Sequence, residues 1–342
     1  MDNVDFAIVG CGYWGSNIAR VFSALKLEHS FTGNVFLYDL DSKKARTLAK
    51  KYDFEVADSY DEILNSPTVD AILIVTPSSS HYDLTKKGLE AGKNVFVEKP
   101  VTLDSSKASE LHEISKSVGK KLMIGLIFRY HQGILNLKER IRIGEFGDIH
   151  YMLGYKFGYS IPKEDTGAMF TLAVNDFDTM CFLNDCHYPK SINAQKGVFV
   201  HPTHEELATV ELEFENNTKS YFINTWLMPV FERLRQLIIV GSKKTAKIDY
   251  LRPNEILIYN SAITRIDAEN DILFDIKKGT PQKVVFPFKE PLYEEMKHFV
   301  SCIVNDEQPK TDGLVGYRSI KMCEIGLKSA KNGRKIQLTG AN

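Results

Sequence analysis

Short, wholly apolar runs alternate with longer amphipathic segments over the first 125 residues. Runs such as "FAIVG", "AILIV" and "NVFV" predict buried strands, while "SNIARVFSALK" and "SSKASELHEISKS" carry apolar residues at helical spacing. Strands that are apolar throughout and take turns with helices are typical of a parallel sheet covered on both faces. We therefore expect residues 1–125 to form a doubly wound α/β domain.

From about residue 126 the apolar residues change to a period of two. Runs such as "ATVELEFEN", "KSYFINTWL" and "RQLIIVGS" alternate between apolar and polar positions, and "ENNT" and "GSKK" separate them as turns. This pattern favours an open, largely antiparallel sheet with one free face. We expect residues 126–342 to form an α+β domain that binds substrate and joins subunits into a dimer or tetramer.

Four further segments belong to the predicted second domain. Helices are expected over 166–184, 290–305 and 314–332, the last ending at Gly333 as its C-cap. Residues 261–288 carry dense charge and are expected to form an insertion or an extended hairpin.

A glycine-rich turn follows the first strand at once and leads into a helix, in the sequence "GCGYWG". Gly10 permits the tight turn, Gly12 lets the backbone approach a pyrophosphate, and Gly15 lets the helix pack closely on the strand. The N-terminus of the helix offers free N–H groups and a positive dipole to phosphates. These glycines, with Tyr13 and Trp14 between them, predict a dinucleotide-binding site.

An acidic residue, Asp39, ends the second predicted strand. A carboxylate there accepts both ribose hydroxyls of an adenosine and repels a 2′-phosphate, which favours NAD over NADP. Lys43, Lys44 and Arg46 follow closely and can neutralise a 2′-phosphate, so NADP stays possible. The segment "DLDSKKA" also contains helix-capping residues, which is a second role for its acidic groups.

Two polar segments fall at the carboxyl ends of later strands, where ligands of parallel sheets bind. They are Thr76-Pro77 and Glu98-Lys99-Pro100. A turn before a proline is the simpler explanation for the charged pair. Their position on the same edge as the glycine turn instead predicts that Lys99 faces the nicotinamide half of the cofactor.

Several stretches together resemble the glucose-fructose oxidoreductase, inositol dehydrogenase and MocA family. They are "VGCGYWGSNIARVF", "VTPSSSHYDL", "AGKNVFVEKPVTLD", "IFRYHQGILNLKERI" and "EIGLKSAKNGRKIQL". The resemblance covers nearly the whole chain in the family's order. Within the family, "NTWLMPVFERLRQLIIVGSKKTAKID" is most similar to sugar-nucleotide 3-dehydrogenases that act on UDP-N-acetylglucosaminuronate.

The resemblance implies roles for the strand-end residues. Lys99 is expected to be catalytic, Glu98 to contact the nicotinamide ribose, and Thr76, Pro77 and His81 to line the cofactor groove. The chemistry agrees, because oxidation of a secondary alcohol needs a base for the hydroxyl proton and a desolvated lysine can serve as one. The hydride itself is carried by NAD.

The family's second catalytic motif is altered in this chain. It reads Asp-x-x-x-His, with a further Asp three residues later, and aligns with "GAMFTLAVNDFDTMCFL". Thr171 replaces the first aspartate and Asn175 the histidine, while Asp178 is retained. Asparagine can hydrogen-bond a substrate hydroxyl but cannot exchange a proton near neutral pH. Asn175 is nevertheless predicted to belong to the catalytic site together with Lys99, and Asn175 and Asp178 are both expected to bind the substrate.

The altered motif leaves open which groups complete the substrate site. Lys99 can act alone or with a tyrosine, for which Tyr130, Tyr155 and Tyr159 are candidates, Tyr159 also as a substrate contact. Arg129 can pair with a substrate carboxylate or phosphate, or can form a structural salt bridge.

These residues predict an NAD(P)-dependent oxidoreductase of a sugar, cyclic polyol or nucleotide sugar. The first alternative is a noncatalytic regulator that senses a dinucleotide or sugar, because the second motif is altered. A second alternative is reduction of a nonsugar carbonyl or imine.

Composition excludes several other classes of protein. The net charge is −1 and the sequence has no basic tract, so it lacks the positive charge typical of proteins that bind nucleic acid. The five cysteines contain no CxxC pair, which fits a reduced, cytoplasmic setting. The apolar runs are too short for a signal peptide or a membrane span. His201 and His204 are the only close histidine pair and are expected in a solvated loop rather than on a metal.

Overall fold

The computed structural model describes residues 3–228, 233–267 and 272–338. In the described residues, α-helices lie at Tyr13–Leu27 (α1), Ser42–Tyr52 (α2), Tyr60–Asn65 (α3), His81–Glu90 (α4), Ser105–Ser117 (α5), Gln132–Arg142 (α6), Val174–Leu183 (α7), Pro291–Val304 (α8) and Gly313–Asn332 (α9). Strands lie at Asp5–Val9 (β1), Val35–Tyr38 (β2), Glu55–Val56 (β3), Val69–Ile74 (β4), Asn94–Glu98 (β5), Leu122–Gly125 (β6), Ile149–Phe157 (β7), Ser191–Gly197 (β8), Leu207–Glu213 (β9), Lys219–Thr225 (β10), Leu234–Gly241 (β11), Thr245–Asp249 (β12), Glu255–Tyr259 (β13), Ala262–Asp267 (β14), Ile272–Lys277 (β15), Pro281–Val285 (β16) and Ile336–Gln337 (β17).

The chain forms two compact units. The first comprises Met1–Ile127 and Pro291–Lys321, and the second comprises Phe128–Glu290 and Met322–Asn342. The sequence pattern places all residues after 125 in one domain, whereas 291–321 belong to the first unit. The physical reason is aromatic packing, because Phe299 of α8 lies 5.7 Å from the ring of Phe96 in β5. An amphipathic pattern shows that α8 has an apolar face but not which sheet covers it.

The first unit is built on a six-stranded sheet in the order β3-β2-β1-β4-β5-β6. All its neighbouring strands run parallel. Each residue of β1 is buried, as expected of a strand that helices cover on both faces. Capping fixes where helices begin, since the Asp41 side chain accepts a hydrogen bond from Lys43 N at the start of α2. The predicted doubly wound Rossmann domain is confirmed.

The second unit contains a nine-stranded sheet in the order β16-β13-β12-β11-β7-β10-β9-β8-β17. Its neighbours are antiparallel apart from β7 and β10, which run parallel. Helix α7 packs on one face, where the rings of Phe177 and Phe222 are 5.1 Å apart. Residues of β9 and β10 alternate between buried and half-buried positions, so the opposite face is more open. The predicted α+β domain with a mainly antiparallel sheet is confirmed.

The described residues of the charged segment, 261–267 and 272–288, contain two paired strands and an edge strand. Strands β14 and β15 pair only with each other in the described residues, and β16 joins β13 at the edge of the large sheet. At the other end of the chain, Gly333 has φ of +62°, as a left-handed C-cap after α9 requires. The hairpin and the C-cap both agree with the sequence pattern.

A single π-helical turn, Met169–Ala173, precedes α7. The buried Glu205 side chain holds this turn, because its Oε1 accepts a hydrogen bond of 2.9 Å from Met169 N. A Cβ at Gly167 would lie 2.2 Å from the same carboxyl group, so only glycine leaves room for it. Such turns recur at functional sites, and this one carries Thr171.

Candidate active site

The glycine turn between β1 and α1 has the backbone geometry that a dinucleotide needs. Gly10 has φ of +104°, and a Cβ at Gly15 would lie 1.9 Å from the carbonyl oxygen of Gly10. Both positions therefore require glycine. Gly12 differs, because a Cβ there would meet nothing within 4 Å. The space beside Gly12 is open, and no side chain caps α1 there, so its first N–H groups can receive a phosphate.

Asp39 is fixed by the main chain at the end of β2. Its Oδ2 accepts a hydrogen bond of 2.7 Å from Cys11 N, and its Oδ1 accepts one of 2.8 Å from Asp41 N. Burial, and then the charge of Asp39, raise the pKa of Cys11 to about 12, so the thiol is inert near neutral pH. An open pocket of about 310 Å³ adjoins this turn and is lined by Cys11, Lys43, Lys44, Thr47, Leu48 and Lys51.

The strand-end residues after β4 divide into exposed and buried groups. Pro77 is exposed, and Thr76 Oγ1 lies 2.7 Å from Ser80 Oγ. His81 is buried, with its Nδ1 2.7 Å from the carbonyl oxygen of Pro100 and its Nε2 2.8 Å from that of Thr76. The imidazole therefore lies between backbone carbonyl oxygens that follow β4 and β5. Its role in lining the cofactor groove stays a prediction.

Glu98 is held in place at the end of β5. The Trp14 indole N–H donates to Glu98 Oε1, and Lys99 N donates to Oε2 over 3.2 Å. A Cβ at Gly125 would lie 3.0 Å from the Glu98 carboxyl carbon, so the backbone of β6 closes its other side. Lys99 is half-buried, and its peptide bond to Pro100 is cis. Two predicted residues, Trp14 and Glu98, are thus brought together with Lys99.

These features of the first unit fit a dinucleotide. The open space at Gly12 and the uncapped start of α1 suit a pyrophosphate, and the ordered carboxylate of Asp39 suits ribose hydroxyls. Glu98 supplies a further fixed acceptor at the carboxyl end of the sheet. Tyr13 is 85% exposed and is free to pack on a bound ligand.

In the second unit, the altered motif lies on α7 and the turn before it. Thr171, Asn175 and Asp178 are all buried. The side-chain oxygen of Asn175 has no hydrogen-bond partner among the described residues. A buried acceptor without a partner is costly, and a ligand hydroxyl would satisfy it.

Arg129 and Asp178 form a bidentate ion pair. Arg129 Nε and Nη2 donate to the two carboxylate oxygens over 2.7 Å each. Burial acts to lower the pKa of Arg129, but Asp178 raises it above the usual value. The structure therefore agrees with the structural salt bridge that the sequence left open for Arg129, and Asp178 is its partner.

A second buried ion pair lies beside Asn175 and was missed by sequence reasoning. Lys156 Nζ donates to Asp176 Oδ1 over 2.7 Å, and Asn224 Nδ2 donates to Oδ2 over 3.0 Å. Lys156 also lies 4.5 Å from the centre of the Phe128 ring. Burial lowers the pKa of Lys156, and Asp176 opposes that change. The sequence does contain a signal for this ion pair. Lys156 lies four residues after the buried Met152 on β7, so its side chain is on the same, inward-facing side of the strand.

The three candidate tyrosines are placed differently. Tyr130 is 3% exposed, Tyr155 is half-buried against Phe157, and Tyr159 is 68% exposed just beyond the end of β7. Tyr159 is thus the accessible one of the three. None of the helices that the structure describes combines the length and apolar character needed to span a membrane. Within the described ranges no three His, Cys, Asp or Glu side chains are placed to hold a metal ion.

Comparison with known proteins places both parts of the chain in one family. Residues 4–126 match the oxidoreductase family's NAD-binding Rossmann fold, and residues 138–338 match that family's C-terminal α/β domain. The resemblance found in the sequence is confirmed. Residues 229–232 of the stretch that pointed to sugar-nucleotide 3-dehydrogenases lie outside the described residues.

Individual relatives are distant but extend along most of the chain. The chain is 24% identical over 291 residues to scyllo-inositol 2-dehydrogenase (NAD⁺) of Bacillus subtilis, covering 81% of this chain and 80% of that one. It is 25% identical over 315 residues to UDP-N-acetylglucosamine 3-dehydrogenase of Acidithiobacillus ferrooxidans, covering 91% and 92%. In fold it is similar to levoglucosan dehydrogenase solved with NADH and levoglucosan, with a TM-score of 0.83, 16% identity, and coverage of 99% and 100%. The chain belongs to the glucose-fructose oxidoreductase, inositol dehydrogenase and MocA (GFO/IDH/MocA) oxidoreductase family.

Proposed function

We propose that the protein is an NAD-dependent dehydrogenase that oxidises a secondary alcohol of a cyclic polyol, sugar or nucleotide sugar, or reduces the matching ketone. The observation that carries this proposal is the fixed Glu98 beside Lys99 at the carboxyl end of β5, in the unit that holds the glycine turn. Glu98 and Lys99 are the residues for which the family resemblance implies cofactor and catalytic roles.

Lys99 is the proposed acid/base residue. When bound, NAD⁺ would accept the hydride in alcohol oxidation, and NADH would supply it in ketone reduction. In the oxidation direction, the neutral amine of Lys99 takes the proton of the substrate hydroxyl; in reduction, the ammonium returns it. Lys99 is half-buried, and a lysine acts as a base only as its neutral amine. Glu98, Asp39, Gly12 and the start of α1 are the groups that would hold the dinucleotide.

The proposed role of Asn175 is to orient the substrate. Its unpartnered side-chain oxygen can accept a hydrogen bond from a substrate hydroxyl, but the amide cannot take its proton. Tyr159 is a second proposed substrate contact, because its ring is exposed. Arg129 and Asp178 satisfy each other, and so we propose that they support α7 rather than bind the substrate's charge.

NAD is the proposed cofactor in preference to NADP. Asp39 has its two oxygens held by main-chain N–H groups, which keeps a negative charge where a 2′-phosphate would lie. Lys43 and Lys44 line the adjoining pocket and oppose this preference. The ratio of the affinities for NAD and NADP should be measured in the wild type and in Asp39→Ala. The difference between the two ratios gives the contribution of the carboxylate to cofactor selectivity.

Substrate class, assembly and location extend the proposal. The named relatives act on inositol and on UDP-N-acetylglucosamine, which supports a polyol or nucleotide sugar here. The comparisons give no support to a noncatalytic regulator. The more open face of the large sheet is the proposed contact between subunits. The five free cysteines fit a reducing compartment such as the cytoplasm.

The test is nicotinamide absorbance during incubation with NAD or NADP and a panel of inositols, hexoses, uronates and UDP-sugars. Reduction of the dinucleotide by one class would establish the dehydrogenase and name its substrate. Product analysis with reduced cofactor separates sugar chemistry from reduction of other carbonyls or imines. Tight dinucleotide binding with silence across the panel, in both directions, would contradict the proposed activity.

A further inference from the structure

Helix α8 carries a carboxyl group on its apolar face. Glu295 is 0% exposed, and neither of its carboxyl oxygens has a hydrogen-bond partner among the described residues. It lies in one stripe with the buried Leu292, Met296 and Phe299. An ionised carboxylate in such a place costs several kcal/mol in real proteins. A group of this kind needs a reason, and nothing in the proposed mechanism uses it.

The position of Glu295 follows from its neighbours in the first unit. Phe299, one helical turn further along α8, packs against the ring of Phe96 at 5.7 Å. Phe96 and Glu98 lie two residues apart on β5, on the same side of the strand. Burial first, and then the charge of Glu98, raise the pKa of Glu295 well above its usual value. Glu98 is thus the charged group that acts on Glu295.

The two carboxyl groups differ in which form their surroundings favour. Glu98 accepts hydrogen bonds from the Trp14 indole and from Lys99 N, and these donors stabilise its ionised form. Glu295 receives no such donor in the described residues. Where two carboxyl groups interact, the like charges strongly raise the pKa of one of them, and that one keeps its proton. That proton therefore belongs on Glu295.

We propose that Glu295 is a positioning residue that stays protonated beside ionised Glu98, so that the pair carries one negative charge and Glu98 keeps its place between Trp14 and β6. This inference rests on the proposed function, in which Glu98 is an acceptor for the nicotinamide ribose. Ionisation of Glu295 would set two negative charges against each other and displace Glu98 from its donors. The cofactor site would then weaken at high pH.

Infrared spectroscopy of the full-length, cofactor-free protein tests the protonation directly. The carbonyl stretch of a buried protonated acid is expected at neutral pH in the wild type, and is expected to be lost in Glu295→Gln. Glu294→Gln, a change at the neighbouring acid of the same helix, is the matched control and should retain the band. Persistence of the full band in Glu295→Gln would overturn the proposal.

A second variant keeps the test decisive if Glu295→Gln does not fold. Glu98→Gln removes the charge that acts on Glu295, so the band should disappear at a lower pH than in the wild type. An unchanged titration in Glu98→Gln would show that Glu98 does not set the proton on Glu295.

Calorimetry with NAD tests the positioning role. Wild-type affinity is expected to fall over the pH range in which the band disappears, and Glu295→Gln should lack that fall. If the wild-type affinity for NAD stayed constant over that pH range, the positioning role would be overturned. Neither measurement reads hydride transfer, so a confirmed titration in a protein without turnover would reject the proposed function alone.

Discussion

The nucleotide site of the first unit and the α7 site of the second are built by different means. The first depends on main-chain geometry: three glycines, the start of a helix, and acidic side chains tied to backbone N–H groups. The second depends on side chains that come from distant parts of the chain, such as Lys156, Asp176 and Asn224. Main-chain geometry tolerates few substitutions, whereas a side-chain site can exchange a group and keep its shape. Asn175, at the position where the family resemblance implies a histidine, lies in the second kind of site.

The largest effect is expected at Lys99. Replacing it with Met should lower kcat by about a thousandfold, because a positioned general base contributes about 10²–10⁴-fold. Dinucleotide affinity should change little, since Glu98, Asp39 and the glycine turn remain. Stopped-flow absorbance and calorimetry measure the two quantities, with Lys116→Met as an exposed control. Full turnover by Lys99→Met would place the chemistry elsewhere.

The next largest effect is expected on folding stability at low pH, through a buried histidine of the second unit. His131 is buried, accepts a hydrogen bond from Gly133 N at the start of α6, and has its pKa lowered by burial to about 4. Its unfolded pKa is about 6.5. The folded state therefore holds a neutral imidazole, whose stabilising effect is complete above about pH 6.5 and is lost as pH falls towards about 4. The loss amounts to about 3 kcal/mol.

Urea unfolding across that pH range measures the effect in the wild type and in His131→Asn. Asparagine can cap α6 in the same way but does not titrate. The variant should therefore show a shallower loss of stability on acidification, whatever its stability at pH 7. Equal slopes for the two proteins would exclude His131 as the cause.

Gly12 offers a cleaner test of the main-chain site. A Cβ there meets nothing within 4 Å, so Gly12→Ala should fold normally. The added methyl group would fill the space of the pyrophosphate, and overpacking of about 1–3 kcal/mol corresponds to binding that is weaker by about fivefold to 150-fold. Gly158→Ala is the matched control, because a Cβ there also meets nothing within 4 Å. Unchanged NAD affinity in Gly12→Ala would show that the dinucleotide does not bind at this turn.

The smallest effect is expected at Asn175. Its replacement by Ala removes one acceptor, and a net hydrogen bond contributes about 0.5–1.5 kcal/mol. KM should rise by about tenfold or less, with kcat nearly unchanged, in steady-state assays. A drop in kcat of a hundredfold or more would show that Asn175 takes part in the chemistry. It would contradict the view that the α7 site can exchange a side chain without loss of catalysis.

The same contrast explains how much could be predicted from sequence. The order of strands and helices in the first unit and its glycine turn were predictable, because contiguous residues determine them. The Asp39 carboxylate also lies beside the glycine turn, as its position at the end of the second strand predicted. In the second unit the alternating strands predicted the sheet correctly, yet the π-helical turn before α7 depends on Glu205, which lies 36 residues after Met169 in the chain.

Pairings between distant residues account for what was missed. Nothing local in the sequence shows that Lys156 meets Asp176, or that Arg129 meets Asp178 rather than a ligand. The assignment of α8 to the first unit depends on Phe299 packing against Phe96. The sequence also does not show that the two ring nitrogens of His81 lie close to the backbone carbonyl oxygens of Pro100 and Thr76.

The most direct test of the account is the pH dependence of kcat/KM, measured by NAD reduction with the substrate that the panel identifies. A general-base lysine predicts a rate that rises with pH to a plateau in the wild type and in Asn175→Ala. Lys99→Met should show only a low, pH-independent rate. Survival of the rising limb in Lys99→Met, or its loss in Asn175→Ala, would contradict the assignment of proton transfer to Lys99.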